Sequence, residues 1–420
     1  MRRIIINRII KKNNRIEFEY TQSGLDNYID ASVIPFYEYD CNIESVPDSI
    51  AIIPFVANII PLSFVLDVTI EMPCIDKSFY NCIDAYRNGY SKMIPMLNFG
   101  GAFIADRIED NTYEPQKNCL LFSGGIDATS SLAVNADVLD DCITIWGSDI
   151  AADNIDGWKK MSSAVHDTVQ KFGKRWIVIK SNFRVYINEH TLGMEIKKTK
   201  DNWWHALQHG IALLGQVAPL AYINKYKTIY IASSFTKDFN PICASDPRTD
   251  NCFKCASAYT VHDGYEFNRC QKVINIEKKR QQLNTTFDVH VCWESATGKN
   301  CGHCEKCFRS YLNCRAVNCD GEKLGIVPSV NMSQIRDFYL HKFEFRDSDI
   351  YAYNMIQQTI KNTYGENVPS DLKWLLKLNV KKVNHSFYWF LKKSFRRARS
   401  VFKRCKSILK SSFVRETKKK

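Results

Sequence analysis

A chain of 420 residues with 45% apolar content can bury two or three cores, which excludes a small stapled module. Its formal charge of +12 does not make it a nucleic-acid binder. Of its 57 Lys/Arg, 15 fall in residues 381–420 with only one of its 45 Asp/Glu, which leaves 42 basic against 44 acidic residues in the body. Sixteen cysteines accompany an N-terminus without a signal-peptide pattern: Arg2 and Arg3 precede a short apolar patch broken by Asn7, Arg8, Lys11 and Lys12. Free thiols in a reducing, cytoplasmic compartment fit better than a disulfide framework.

Residues 1–112 read as a separate N-terminal α+β unit. Residues 3–10 and 15–20, joined by Lys11-Lys12-Asn13-Asn14, read as a hairpin. Residues 50–66 are apolar and uncharged, long enough to raise the question of a membrane span. Pro54, Asn58 and Pro61 interrupt them, and Asp67 and Glu71 follow in a strand-like run. Buried strands or a strand–helix pair are the expectation here.

From residue 118 strands and helices alternate. Strands are predicted over 118–122, 141–146, 175–179 and 228–232, and helices over 128–136, 156–172 and 202–223. The strands are near-continuous apolar runs, as when both faces of a sheet are covered. The order implies an α/β fold with a doubly wound parallel sheet and ligands at the carboxyl ends of its strands.

The first of these strands runs into Ser123-Gly124-Gly125-Ile126-Asp127. A strand turning into a helix through two glycines makes an anion cradle, because glycine lets a phosphate approach the main chain and the helix start offers unpaired N–H groups. Ser123, Thr129 and Ser130 add hydroxyls, and Asp127 suits a Mg²⁺ ion bridging phosphate oxygens. The plain alternative is an ordinary glycine turn. No Gly-Lys-Ser/Thr closes a Walker-type loop.

Downstream, Cys292, Cys301, Cys304 and Cys307 read C-x8-C-x2-C-x2-C. Four thiolates in one short segment suit a tetrahedral Zn²⁺ ion, with Gly302 permitting the tight turn between neighbouring sulfurs. Lys299, Lys306 and Arg309 would offset the negative charge of such a site. Reduced structural cysteines and an iron–sulfur cluster are the alternatives, and His303 reads as a surface residue. Cys252 and Cys255 form a second C-x2-C without an equally close partner pair, and Cys119 and Cys142 read as core residues.

The glycine loop resembles the pyrophosphate loop, Ser-Gly-Gly-x-Asp-Ser, of the ATP pyrophosphatase (PP-loop) superfamily, with Ala128 where the second Ser is usual. With the cysteine cluster and the Arg309 that follows it, residues 118–319 resemble 7-cyano-7-deazaguanine synthase and its relatives. The intervening Ser245-Asp246-Pro247-Arg248-Thr249-Asp250 and His262–Arg269 stretches look more like PP-loop proteins of bacterial surface-glycan pathways. The resemblance implies an adenine nucleotide α-hydrolase-like domain over 113–325 with ATP, Mg²⁺ and a structural Zn²⁺. It implies that ATP is split between its α and β phosphates, a substrate oxygen is adenylated and pyrophosphate is released.

By the same resemblance Trp146 to Asp149 would meet adenosine through the backbone. Ser233 and Ser234 would lie near the α-phosphate, Arg269 and Lys272 would neutralise charge on the phosphates, and Asp246 and Asp250 would face substrate or a second Mg²⁺. Ser123, Asp127, Arg269 and Lys272 are thus the expected catalytic residues, with Gly124, Gly125, Ile126, Thr129, Ser130, Trp146 and Ser233 binding nucleotide. His205 and His209 sit four apart on a predicted helix, which fits a di-histidine metal site less well than satisfied histidines beside Trp203 and Trp204. In His262-Asp263 a carboxylate could orient the imidazole.

Residues 326–382 read as a helical region joining the body to a basic tail over 383–420. In that tail Leu391, Phe395, Ala398, Phe402, Cys405, Leu409 and Phe413 recur at helical spacing among Lys and Arg, with Trp389 and Phe390 at the start. An amphipathic helix on an anionic membrane is the expectation, against a helix docked on the body, a solvated tail or RNA contact. The whole reads as a cytoplasmic enzyme, peripheral to the inner face of the membrane, that adenylates a small-molecule or glycan-precursor substrate. A nucleobase or tRNA modification enzyme and a zinc-containing nucleotide-binding protein without catalysis are the alternatives.

Overall fold

The computed structural model describes residues 2–292 and 299–383. The expected amphipathic tail therefore lies, from residue 384 on, outside the described residues. The chain forms two compact units, one of Met1–Arg315 with Cys319–Val327 and one of Ala316–Asn318 with Pro328–Lys420.

The first unit is built on one large, mostly parallel sheet, compatible with a doubly wound α/β fold. Its strands in chain order are β1 (Arg3–Lys12), β2 (Arg15–Ser23), β3 (Phe36–Glu38), β4 (Thr69–Met72), β5 (Ile75–Asp76), β6 (Ala102–Ala105), β7 (Ile108–Glu109), β8 (Lys117–Leu121), β9 (Asp141–Trp146), β10 (Arg175–Ser181), β11 (Tyr226–Ala232), β12 (Lys254–Cys255) and β13 (Ala258–Asp263). Eleven of them pair in the order β12-β13-β11-β8-β9-β10-β3-β2-β1-β4-β6, while β5 and β7 pair by themselves. From β13 to β10 every neighbour is parallel. This is the part with the expected alternation, and β13 is a strand that the apolar runs did not suggest.

The order β13-β11-β8-β9-β10 explains where a ligand can sit. From β8 the chain moves one way to β9 and β10, then crosses back to place β11 and β13 on the other side. The loops leaving β8 and β11 therefore flank the switch point, the place where ligands bind in sheets of this kind. Side chains alternate across the sheet. Cys119 and Leu121 of β8 join a large core with the Ile53–Leu66 and His209–Asn224 helices, whereas Leu120, between them, is fully buried outside that core. The Ile126–Val134 helix packs on the Arg269–Gln282 helix.

Residues 1–112 do not stand as a unit of their own. β3 pairs antiparallel with β10, so the N-terminal hairpin extends the same sheet. The hairpin itself turns at Asn13, whose φ of 52° an asparagine tolerates better than most residues. The apolar run at 50–66 is helical, Asp48–Ala51 then Ile53–Leu66, not stranded. Pro54 falls in its first turn, where no N–H is needed, and Asn58 is buried but satisfied, donating to Phe183 O (2.7 Å) and Tyr186 Oη (2.8 Å). Interruption by Pro and Asn suggested separate elements; burial against the His209–Asn224 helix overrides it.

Among the described residues one helix, Trp204–Asn224, is long and apolar enough to cross a membrane, and 78% of its most apolar window is buried inside the protein. In the second unit, Met332–Asp337, Asp347–Tyr364 and Lys373–Lys377 are helices around a cluster of Tyr339, Phe343, Phe345, Tyr353 and Trp374. Gln357 ties two of them by donating to Leu375 O (2.7 Å) and Leu378 O (2.8 Å).

Candidate nucleotide crevice and metal centre

The Ser123–Asp127 segment lies at the carboxyl end of β8, at the point where strand order reverses. Gly124 has φ +75°, a conformation that L side chains rarely adopt, and a Cβ there would lie 3.0 Å from Val165 Cγ2. Gly125 is extended and caps the Ile126–Val134 helix with no side chain on its N–H groups. Among the described residues the first-turn donors thus have no side-chain acceptor, as an anion cradle requires. Ser123 Oγ accepts weakly from Gly125 N (3.4 Å). Thr129 is 1% exposed and its hydroxyl is buried without a partner, while Ser130 Oγ accepts from Asn275 (3.4 Å).

Asp127 meets two cations. Arg269 Nη2 donates to its Oδ2 (2.8 Å) and Lys272 Nζ to its Oδ1 (2.9 Å), both from the first turn of the Arg269–Gln282 helix. Burial would raise its pKa, but Arg269 and Lys272 outweigh burial and hold the carboxyl below its ordinary range. Lys272 is 2% exposed, and burial lowers its ammonium despite Asp127. It also donates to the carbonyl of Ser233, so one side chain joins the loops after β8 and β11. Asp127 is therefore not a bare magnesium anchor, because its charge is already matched inside the protein. Lys306 belongs to the same field. Burial and Arg269 lower its ammonium to about 8, against the pull of Asp127 and Asp149.

Cys292, Cys301, Cys304 and Cys307 converge. Their sulfurs all lie within 4.8 Å of one another, with 3.9 Å between Cys292 and Cys304 and 3.8 Å between Cys301 and Cys307. Tetrahedral thiolates at roughly 2.3 Å from an ion stand ~3.8 Å apart, so the four could hold a metal such as zinc. Gly302 takes φ +70° between the ligands, and Cys307 N–H donates to Cys304 Sγ (3.5 Å). His303 Nδ1 engages Cys301 O (2.9 Å), not the sulfurs.

Metal centre and glycine loop touch through a residue that sequence spacing did not single out. His290 N–H donates to Gly124 O (2.8 Å), two residues before Cys292. A backbone bond leaves no mark in composition or periodicity. Lys306 was visible only as a charge balancing thiolates.

Other expected residues have local roles. Trp146 stacks on Trp158 (4.9 Å between centroids, 1° between planes) and carries Lys180 Nζ 4.3 Å from its ring centroid. After it, Gly147 N–H donates to Ile150 O (3.0 Å) and Ser148 O accepts from Arg184 (2.9 Å), so these backbone groups are already engaged. Ser233 Oγ donates to Phe235 O (2.7 Å). Asp246 caps the Pro247–Asp250 helix and pairs with Arg248 (2.7 Å). Asp250 is fully buried, accepting from Ser245 Oγ (2.6 Å) and facing His262 Nδ1 (2.8 Å). Both oxygens of Asp246 are engaged by Arg248, whereas Asp250 uses Oδ2 for both contacts and its buried Oδ1 has no partner among the described residues. His262 is oriented by Asp250, not by the adjacent Asp263, which accepts from Asn135 (3.1 Å); alternation along β13 sends neighbours to opposite faces. His205 pairs with Asp201 (2.5 Å) and sits in a π-helical turn, Trp204–Gln208, while His209 packs edge-on against Trp204 (4.9 Å between centroids). Cys252 Sγ donates to Arg248 O (3.2 Å) and Cys255 is fully buried.

No family model matches the sequence, and no curated protein or solved structure matches it either.

Proposed function

We propose that the chain is an ATP pyrophosphatase that adenylates a small-molecule or glycan-precursor substrate in the cytoplasm. The reading rests on one observation above the rest: an uncapped glycine loop and two basic side chains from another helix meet at the switch point of a parallel sheet. Ser123, Gly124, Gly125, Ile126 and Thr129 would hold phosphate oxygens brought in as Mg·ATP. Arg269 and Lys272, held in place by Asp127, would stabilise charge on the leaving pyrophosphate. Adenylation makes a substrate oxygen replaceable because AMP leaves far more readily than hydroxide. Zinc on the four cysteines would be structural, since four thiolates leave no open position.

ATP–pyrophosphate exchange in the presence of candidate acceptors tests the chemistry. Asp127→Asn should lower exchange by roughly 10²-fold or more, since it releases both cations. Exchange at the parent rate would remove Asp127 from the site. The engaged carboxylate and Ala128 favour one second reading, a nucleotide-binding protein without catalysis; ATP binding with no exchange for any acceptor would select it.

For the tail we retain membrane association. Lys and Arg would contribute about 1 kcal/mol each near an anionic surface. The full chain should float with anionic liposomes, less so as salt rises, and a chain ending at Lys382 should not. Equal flotation of both, or of neither, removes the assignment.

A further inference from the structure

We propose that Asn300 and His290 are positioning residues through which an ion on the four cysteines sets the shape of the glycine loop. The inference rests on the nucleotide and metal reading above and adds a dependence of one site on the other.

The geometry is a clasp. Asn300 directly precedes Cys301. Its Oδ1 accepts from Val291 N–H (2.8 Å), and its Nδ2 donates to Val289 O (2.9 Å) and Gly325 O (2.9 Å). Residues 289 and 291 are thus held by one side chain, and the residue between them, His290, donates its N–H to Gly124 O (2.8 Å). The next residue but one is Cys292. An ion bonded to both Cys292 and Cys301 would tether the two cysteines and so hold Asn300, next to Cys301, against residues 289–291. Without it, only a few hydrogen bonds worth about 1 kcal/mol each hold Asn300 on Val289 and Val291. Gly124 feels the outcome directly, since its carbonyl is the acceptor and, without a Cβ, its backbone can leave φ +75° for other shapes when the bond is lost. Gly125 is close as well: a Cβ there would lie 3.5 Å from His290 O.

The test is hydrogen–deuterium exchange on the full chain, with zinc bound and after chelation, read at the His290 amide and across residues 122–127. Metal content and Mg·ATP affinity are measured on the same samples. Chelation should speed exchange there roughly fivefold or more, the scale of one lost hydrogen bond, while residues 3–23 stay unchanged. Asn300→Ala should keep one zinc per chain yet reproduce the faster exchange. Asn300→Asp, which keeps only the acceptor for Val291, should fall between. Mg·ATP should bind the chelated and Asn300→Ala forms more weakly. Loop exchange indifferent to both chelation and Asn300→Ala overturns the link and leaves the nucleotide reading intact if Mg·ATP still binds. A rise that spreads equally to residues 3–23 also overturns it, since the ion then holds up the whole unit. Loop exchange that responds in a chain that never binds Mg·ATP keeps the link and sinks the nucleotide reading.

Discussion

His205 has its pKa raised to about 10 by the Asp201 carboxylate, with Cys243 adding to the effect. A histidine raised above its unfolded value of about 6.5 contributes stability that is complete below that pH and lost as pH rises through about 10. Urea midpoints should therefore decline between those values, and Asp201→Asn should flatten that part of the profile. A wild-type profile unchanged by Asp201→Asn would show the pair to be a bystander. This contact was only half legible in the chain. The spacing of His205 and His209 suggests a shared face, whereas the partner His205 takes is the acid four residues before it, and the π-helical turn that holds His205 has no signature in the pattern of apolar residues.

Elements were read more securely than their contacts. The apolar runs ending in Phe122, Trp146 and Ala232 locate three of the parallel strands around the switch point, because a strand covered on both faces must be apolar throughout. The turn after β9 shows what such a reading misses. Gly147 adopts φ +121°, and a Cβ there would lie 1.9 Å from Ser181 O at the end of β10. Glycine is needed because another strand's backbone passes against it, which is a tertiary fact. Gly147→Ala should destabilise the chain by about 2–3 kcal/mol, measured by denaturant unfolding, since backbone on both sides must move. Gly173, where an added Cβ meets nothing within 4 Å but φ is +67°, supplies the comparison and should cost about 1–2 kcal/mol as alanine. Equal costs at the two positions would show that the close approach at Gly147 relaxes freely.

At the scale of the molecule, the N-terminal segment is part of the sheet that carries the glycine loop. β3 continues the sheet beyond β10, and the Ile53–Leu66 helix covers the His209–Asn224 helix. Tyr37 Oη reaches Tyr186 Oη (3.2 Å), and Gln208 donates to Asn58 (2.6 Å), so buried polar atoms cross the expected boundary at 112. A chain beginning at residue 113 would expose that apolar face and strand those partners. Expressed alone, residues 113–383 should give insoluble or molten material without a cooperative thermal transition. A sharp transition near that of the full chain would show that the segment is dispensable.

Local chemistry settles much of this protein in the chain itself. Alternating apolar runs specify an α/β sheet, paired glycines after a strand specify a tight turn into a helix, and three cysteines at two-residue gaps leave their sulfurs little choice but to converge with a fourth. Each is set by residues close in sequence. What remained for tertiary structure is what joins distant residues: Lys272 between Asp127 and Ser233, His290 on Gly124, Asp250 rather than Asp263 on His262, and the N-terminal hairpin on the same sheet. Those pairings depend on strand order and on backbone groups that every residue carries alike, so no pattern of side chains announces them.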